Sequence, residues 1–348
     1  MTHNTRQPWL ANPWQESVFI LAPALLPVAL VFAFQDYFTT HEVSTFWWVL
    51  LVLCIDVSHV YSTLFRLYWD RQTFNTYRRL LIVIPVTAFA VGLLLHYYDA
   101  MLFWRILAYV AVYHFVRQQY GFMRLYARKE PASKFNRIID ALAIYNATVY
   151  PLLYWHLHAT DKLAWFVKGD FITLGLQNYD NVLIFIYTAI IVLYGVKEIR
   201  NSYRQGMVNI PKNLIVLGTY ASWYVGIVSF QGDLIFTLLN VVAHGIPYMA
   251  LIWIHGEKKT TLNFSFNLKG VTVFAGVLLL LAYVEENLWD SMVWKDHPEI
   301  FPLLAGLPSL ESPLLLSAIV ALLVLPQVTH YVLDGFIWRF SKDSQSRL

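Results

Sequence analysis

The chain has 348 residues, 58% of them hydrophobic and 14% charged, with a mean hydropathy of +0.50 and a formal net charge of +3. A soluble domain carries roughly 25% charged residues, so the composition excludes a water-soluble globular protein and marks a polytopic membrane protein. The single cysteine, Cys54, excludes an internal disulfide and any Cys-rich zinc or iron–sulfur site, and the juxtamembrane basic residues have no separate domain on which to bind nucleic acid.

The polar start, 1–16, lacks a basic segment running into a short apolar core with a small-residue cleavage site, so it reads as a tail and not as a cleavable signal. Ten apolar segments follow, each about long enough to cross a bilayer: 17–35, 44–66, 79–97, 101–123, 138–158, 181–199, 212–230, 233–255, 269–285 and 313–338. The expected fold is all-α, a polytopic transmembrane helix bundle of about ten spans that forms one integral membrane domain over 1–348. Lysine and arginine collect after spans 2, 4, 6 and 8 and in both tails, among them Arg6, Arg78, Arg79, Arg128, Lys129, Arg200, Arg204, Lys258, Lys259, Arg339, Lys342 and Arg347. The opposite loops hold Lys162, Lys168 and Lys295 and otherwise run to Asp and Glu. The positive-inside rule then makes 1–16 and 340–348 cytoplasmic and 286–312 an outer loop, in a bacterial inner membrane. Glu285 and Glu286 end the ninth span on the outer side and are expected to be solvated.

Sorting the eleven histidines by depth separates two groups. His3, His41, His96, His156, His158, His255 and His297 lie in tails, loops or helix ends, where interfacial roles are expected. His59, His114, His244 and His330 lie well inside spans 2, 4, 8 and 10, all of which run from outside to inside. Counting about 7, 10, 11 and 9 residues to the inner helix ends puts them roughly 10–17 Å from that boundary, at nearly one depth. Ionisable residues within a bilayer are costly and mark functional sites. Neutral imidazole suits iron, copper, zinc or nickel, so the four are candidate metal ligands. Each has a polar companion three or four residues away on its own helix: Asp56, Gln118, Asn240 and Asp334, which would orient the rings. Tyr248, four residues after His244, would face the same site as a hydrogen-bond donor. Arg117 needs a buried partner, with Asp56 and Asp334 as candidates, and Asp140, Tyr145 and Asn146 either line a cavity or tie helices together.

The last span, Leu325-Pro326-Gln327-Val328-Thr329-His330-Tyr331-Val332-Leu333-Asp334-Gly335-Phe336-Ile337-Trp338-Arg339, resembles the terminal helix of the Brp/Blh-type β-carotene 15,15'-dioxygenases, integral membrane proteins of bacteria and archaea. Tyr113-His114-Phe115 is similar to that family's His-Phe helix, and His59 and His244 fall where the family has its early and late histidines. The resemblance implies a histidine-bound iron centre in a helical core. Four positions differ from the family pattern: Val116 stands in place of Gly, Gln118 in place of an acid, Thr63 in place of an Asp one turn after the early His, and Tyr248 in place of the second His of the late pair.

The function expected is a membrane-embedded non-haem iron oxygenase. His59, His114, His244 and His330 would be the ligands, Asp56, Gln118, Asp334 and Tyr248 would assist, and an apolar isoprenoid, carotenoid or lipid substrate would arrive from the bilayer. Two alternatives stand beside it. One is a haem protein with bis-His ligation. The other is a proton- or ion-coupled transporter, in which Gly245 and Pro247 would break span 8.

Overall fold

The structure, a computed structural model, describes residues 7–158, 164–175, 177–258 and 267–337. His3, Arg6, Lys162, Lys259, Arg339, Lys342, Arg347 and the 340–348 tail lie outside the described residues. Regular structure is helical throughout, with no strand among the described residues.

Among the described residues, seven helices are long and apolar enough to cross a membrane: α1 (Pro13–Ala33), α2 (Thr45–Leu67), α3 (Arg71–Tyr98), α4 (Ala100–Tyr126), α6 (Asp180–Gln205, preceded by a 3₁₀ turn), α8 (Asp233–Glu257) and α9 (Leu268–Trp294). A bent pair, α10a (Pro313–Leu323) and α10b (Leu325–Ile337), adds an eighth when taken as one span. Helices α5 (Lys134–His158) and α7 (Ile210–Trp223, continued by a π turn over Tyr224–Ser229) occupy the fifth and seventh expected segments. They fall outside the apolar group; α5 carries Lys134, Arg137 and Asp140, and α7 carries Lys212 and Asn213.

Helix α8 is the centre of the bundle: 78% of its apolar stretch is buried, against 11% for α3, which leaves α3 a face for lipid. It packs on α1, α2, α4 and α7. Gly245 sets how closely α2 approaches. A Cβ there would lie 2.8 Å from Ile55 Cγ2 and 3.2 Å from the Ile55 carbonyl oxygen, so only glycine admits this contact. Helix α10b packs on α2, α3 and α4, so α2, α8, α4 and α10b close a ring of contacts around one interior point.

Two prolines shape that ring. Pro247 does not break α8, which is continuous from Asp233 to Glu257. Proline lacks the N–H that would reach the carbonyl four residues back; Gln119 Nε2 donates to that carbonyl, Ala243 O, at 3.2 Å. In the last span Pro326 sits just past a 43° break, and the kink turns α10b inward.

The ninth helix corrects an expectation. It runs to Trp294, so the loop expected over 286–312 begins at Lys295, whose left-handed φ of 60° ends the helix. Glu285 and Glu286 are buried, at 4% and 9% exposure, and are not solvated. Glu285 is held from three sides: the Tyr61 hydroxyl donates at 2.5 Å, Gln327 Nε2 at 2.7 Å and Trp289 Nε1 at 3.3 Å. These donors come from α2, α10b and α9 itself, because α9 continues alongside α2 and does not leave the bundle.

Candidate metal centre

His59, His114, His244 and His330 meet. Each is at most 2% exposed, and each offers one nitrogen within 4.8 Å of the other three. The common depth inferred from helix rise is therefore realised as one cluster. Its four members come from α2, α4, α8 and α10b, the helices of the contact ring.

The rings pack edge to face. His59 and His244 stand at 89° with centroids 4.7 Å apart, and His114 and His244 at 85° and 4.9 Å. Phe115 lies flat on His244 at 3.6 Å, and Tyr331 stacks on His114 at 4.9 Å, so aromatic walls hold both ring planes.

The facing atoms are Nε2. His244 Nε2 lies 3.2 Å from His114 Nε2 and 3.1 Å from His59 Nε2. In a neutral imidazole this atom carries either one hydrogen or one lone pair, so His244 satisfies one neighbour and leaves the other facing it unbonded. His330 Nε2 is buried with no hydrogen-bond partner at all. Buried polar atoms without partners are rare and call for an explanation. A cation among the four nitrogens removes the conflict, because each Nε2 then presents a lone pair. The two Nε2–Nε2 spacings suit this: two imidazoles bonded to one ion at about 2.0–2.1 Å stand roughly 3.0–3.4 Å apart at ordinary coordination angles.

We found no matching family model, and no match among curated proteins or solved structures.

The polar companions are rearranged from expectation. Asp334 does not serve His330 on its own helix; its Oδ2 lies 3.5 Å from His114 Nδ1, across the interface of α10b and α4. Asp56 does accompany His59, with 3.7 Å between carboxylate and Nδ1. Gln118 Nε2 donates to the backbone carbonyl of His244 at 2.8 Å and leaves the His114 ring alone. Asn240 turns back to the Phe236 carbonyl at 3.0 Å and does not reach the His244 ring. A hydrogen bond to the carbonyl four residues back costs Asn240 no strain, and this local partner wins.

Thr63 supplies what the sequence reading missed. Its hydroxyl lies 2.7 Å from His330 Nδ1 and 3.1 Å from the Tyr248 hydroxyl, and Tyr248 in turn hydrogen-bonds Asp334. His330 and His114 are thereby joined behind the centre through Thr63, Tyr248 and Asp334. The signal was present: Thr63 is four residues after His59, one turn along the same helix face.

Other expected residues lie elsewhere. Arg117 meets neither Asp56 nor Asp334. Its Nη1 donates to the Tyr145 hydroxyl at 2.6 Å and its guanidinium lies 5.2 Å from the Tyr120 ring. The Arg117 side chain reaches to Tyr145 on α5 and not into the histidine cluster. Asp140 ties helices together through Lys197, and Asn146 does the same by donating to Tyr187 O and the Tyr220 hydroxyl.

Proposed function

We propose that the protein is a membrane-embedded oxygenase whose four histidines hold a non-haem iron. The observation that carries the reading is the convergence of four buried histidine nitrogens, among them three facing Nε2 atoms that cannot all satisfy one another and a His330 Nε2 with no partner. Iron so held would supply the redox chemistry with O₂, as a cofactor does for a site that positions it. Iron is favoured over copper, zinc and nickel, which imidazole also suits, by the likeness of the last span and of Tyr113-His114-Phe115 to the Brp/Blh-type dioxygenases.

The ring geometry speaks for a bare ion over haem. A porphyrin surrounds its iron in the plane between two axial imidazoles. Here that plane is filled, because the third and fourth imidazoles stand within 4.8 Å of the first two.

With each Nε2 given to the ion, the proton of each ring sits on Nδ1, and the surroundings read as a directed chain. His330 Nδ1–H donates to Thr63, Thr63 to Tyr248, and Tyr248 to Asp334, which also faces His114 Nδ1. Asp334 thus fixes two rings and sets a negative charge beside the site. Asp56 lies beside His59 at 3.7 Å from Nδ1, too far for a hydrogen bond, and that nitrogen has no other partner. The Asp56 side chain keeps 37% exposure beside a fully buried histidine, so the bundle opens there. We read this opening as the access for an apolar isoprenoid, carotenoid or lipid substrate leaving the bilayer.

The remaining assignments belong to the same reading: ten membrane crossings, with α5 and α7 included, both termini cytoplasmic, and residence in a bacterial inner membrane. The alternation of lysine and arginine supports them.

The test is oxygen consumption by iron-loaded protein in the presence of β-carotene or a shorter polyene. We expect turnover in the wild type and loss of about a hundredfold or more in His114→Ala. Equal oxygen uptake by both proteins would refute the oxygenase reading.

A further inference from the structure

A second feature lies where the start of α5 faces the end of α6. A cavity of ≈ 930 Å³ opens there, lined by Lys129, Arg200, Arg204, Asn201, Phe135 and Val196 among others. It is at the upper end of the roughly 300–1,000 Å³ typical of small-molecule sites.

Charge accounting separates its basic residues into two groups. Against the cavity, with Glu130 and Lys197 in its lining, is a buried ionic cluster. Lys197 pairs with Asp140 and Glu198, Lys212 with Glu130 at 2.5 Å and Glu198 at 2.6 Å, and Arg124 with Asp140 at 3.9 Å. Three cations meet three anions, and the cluster is neutral. Lys129, Arg200 and Arg204 are left over and make no ion pair with any described residue. Asn201 adds a donor: its Oδ1 accepts from Asn136 at 3.3 Å, while its buried Nδ2 has no partner.

The walls are of a different kind. Phe135 and Val196 are 60% and 59% exposed, and Leu193, also on the wall, is 40% exposed. The apolar run of α6 ends at Val196 and a polar run begins at Lys197, so the cavity straddles the boundary between hydrocarbon and headgroups. The lysine and arginine bias makes this the cytoplasmic side, where basic pockets between helices bind anionic lipid headgroups.

We propose that this cavity is a binding site for an anionic phospholipid of the inner leaflet. Lys129, Arg200, Arg204 and the Asn201 amide take the phosphate-bearing headgroup, and Phe135, Leu193 and Val196 take the upper acyl chain. Both halves of the ligand are specified: surplus positive charge selects an anion, and an exposed apolar wall selects one that carries a chain.

The experiment titrates delipidated protein in a neutral detergent with phosphatidylglycerol, phosphatidylcholine or inorganic phosphate, read by native mass spectrometry. We expect phosphatidylglycerol to bind roughly tenfold or more tightly than phosphatidylcholine, with no displacement by inorganic phosphate. That preference should vanish in the Lys129→Gln/Arg200→Gln/Arg204→Gln variant and in Asn201→Asp. It should persist in Arg78→Gln/Arg79→Gln, which removes exposed charges at the start of α3 instead. Circular dichroism confirms that each variant is folded; should the triple variant fail, Asn201→Asp alone decides. Equal binding of the two lipids, equal loss in the cavity variants and the α3 variant, or displacement by inorganic phosphate would each overturn the proposal.

Discussion

Thr63 shows how a small side chain can govern a buried centre. Its hydroxyl touches both His330 Nδ1 and the Tyr248 hydroxyl. Removing it frees the His330 ring to turn and leaves the buried His330 Nδ1 without a partner, while Tyr248 keeps Asp334. Thr63→Val keeps the shape, so its effect isolates the hydrogen bonds. We expect a 10–100-fold loss of metal affinity, rescue by Thr63→Ser, and an unchanged helix content, read by metal titration and circular dichroism. The four histidines were legible in the sequence because each is a polar residue isolated in an apolar span. Their partners were not. Asn240 found a nearer acceptor on its own helix, and Asp334 serves a ring on another, because the interior contacts are set by how helices face one another. Arg117 was misread for the same reason; three residues from His114, it shares that helix face by spacing, yet its long side chain reaches across to Tyr145 on α5.

At the scale of elements, the centre depends on close helix contact at Gly245. Gly245→Ala would press a methyl into Ile55. Overpacking of this kind costs about 1–3 kcal/mol, and the only relief is to part α2 from α8, which separates His59 from His244. We expect a lower unfolding midpoint in detergent together with weaker metal binding; a fall in stability with metal affinity intact would detach the contact from the site. The stretch Val49–Val57 of α2 is π-helical and leads directly into His59. Such turns often accompany functional sites. Apolar length made the helices legible, but neither this wider winding nor the 43° bend before Pro326 follows from hydropathy. The end of α9 was missed because Glu285, Glu286 and Asp290 look like loop residues until their burial partners are known.

For the whole molecule, the buried ionic cluster joins α4, α5, α6 and α7 at one end of the bundle. Lys212 is fully buried between Glu130 and Glu198. Lys212→Met takes the cation from Glu130 and one of two from Glu198, which keeps Lys197, and breaking a buried pair in this way costs about 3–5 kcal/mol. The expected readout is a lower denaturation midpoint with the metal site unaltered in the surviving folded fraction. The orientation proposed from lysine and arginine is tested in a Cys54→Ser background. A cysteine at Ser133 should be labelled only from the cytoplasmic side, and one at Asp296 only from the outer side.

The central claim is that four histidines hold one ion. Metal analysis with an absorption spectrum, on purified wild type and His330→Ala, addresses it most directly. If the claim is right, the wild type carries about one transition-metal ion per chain, shows no intense Soret band, and loses the metal in His330→Ala, as expected when a ligand is removed. Metal-free wild type from metal-replete cells, or the same metal content in both proteins, would contradict it.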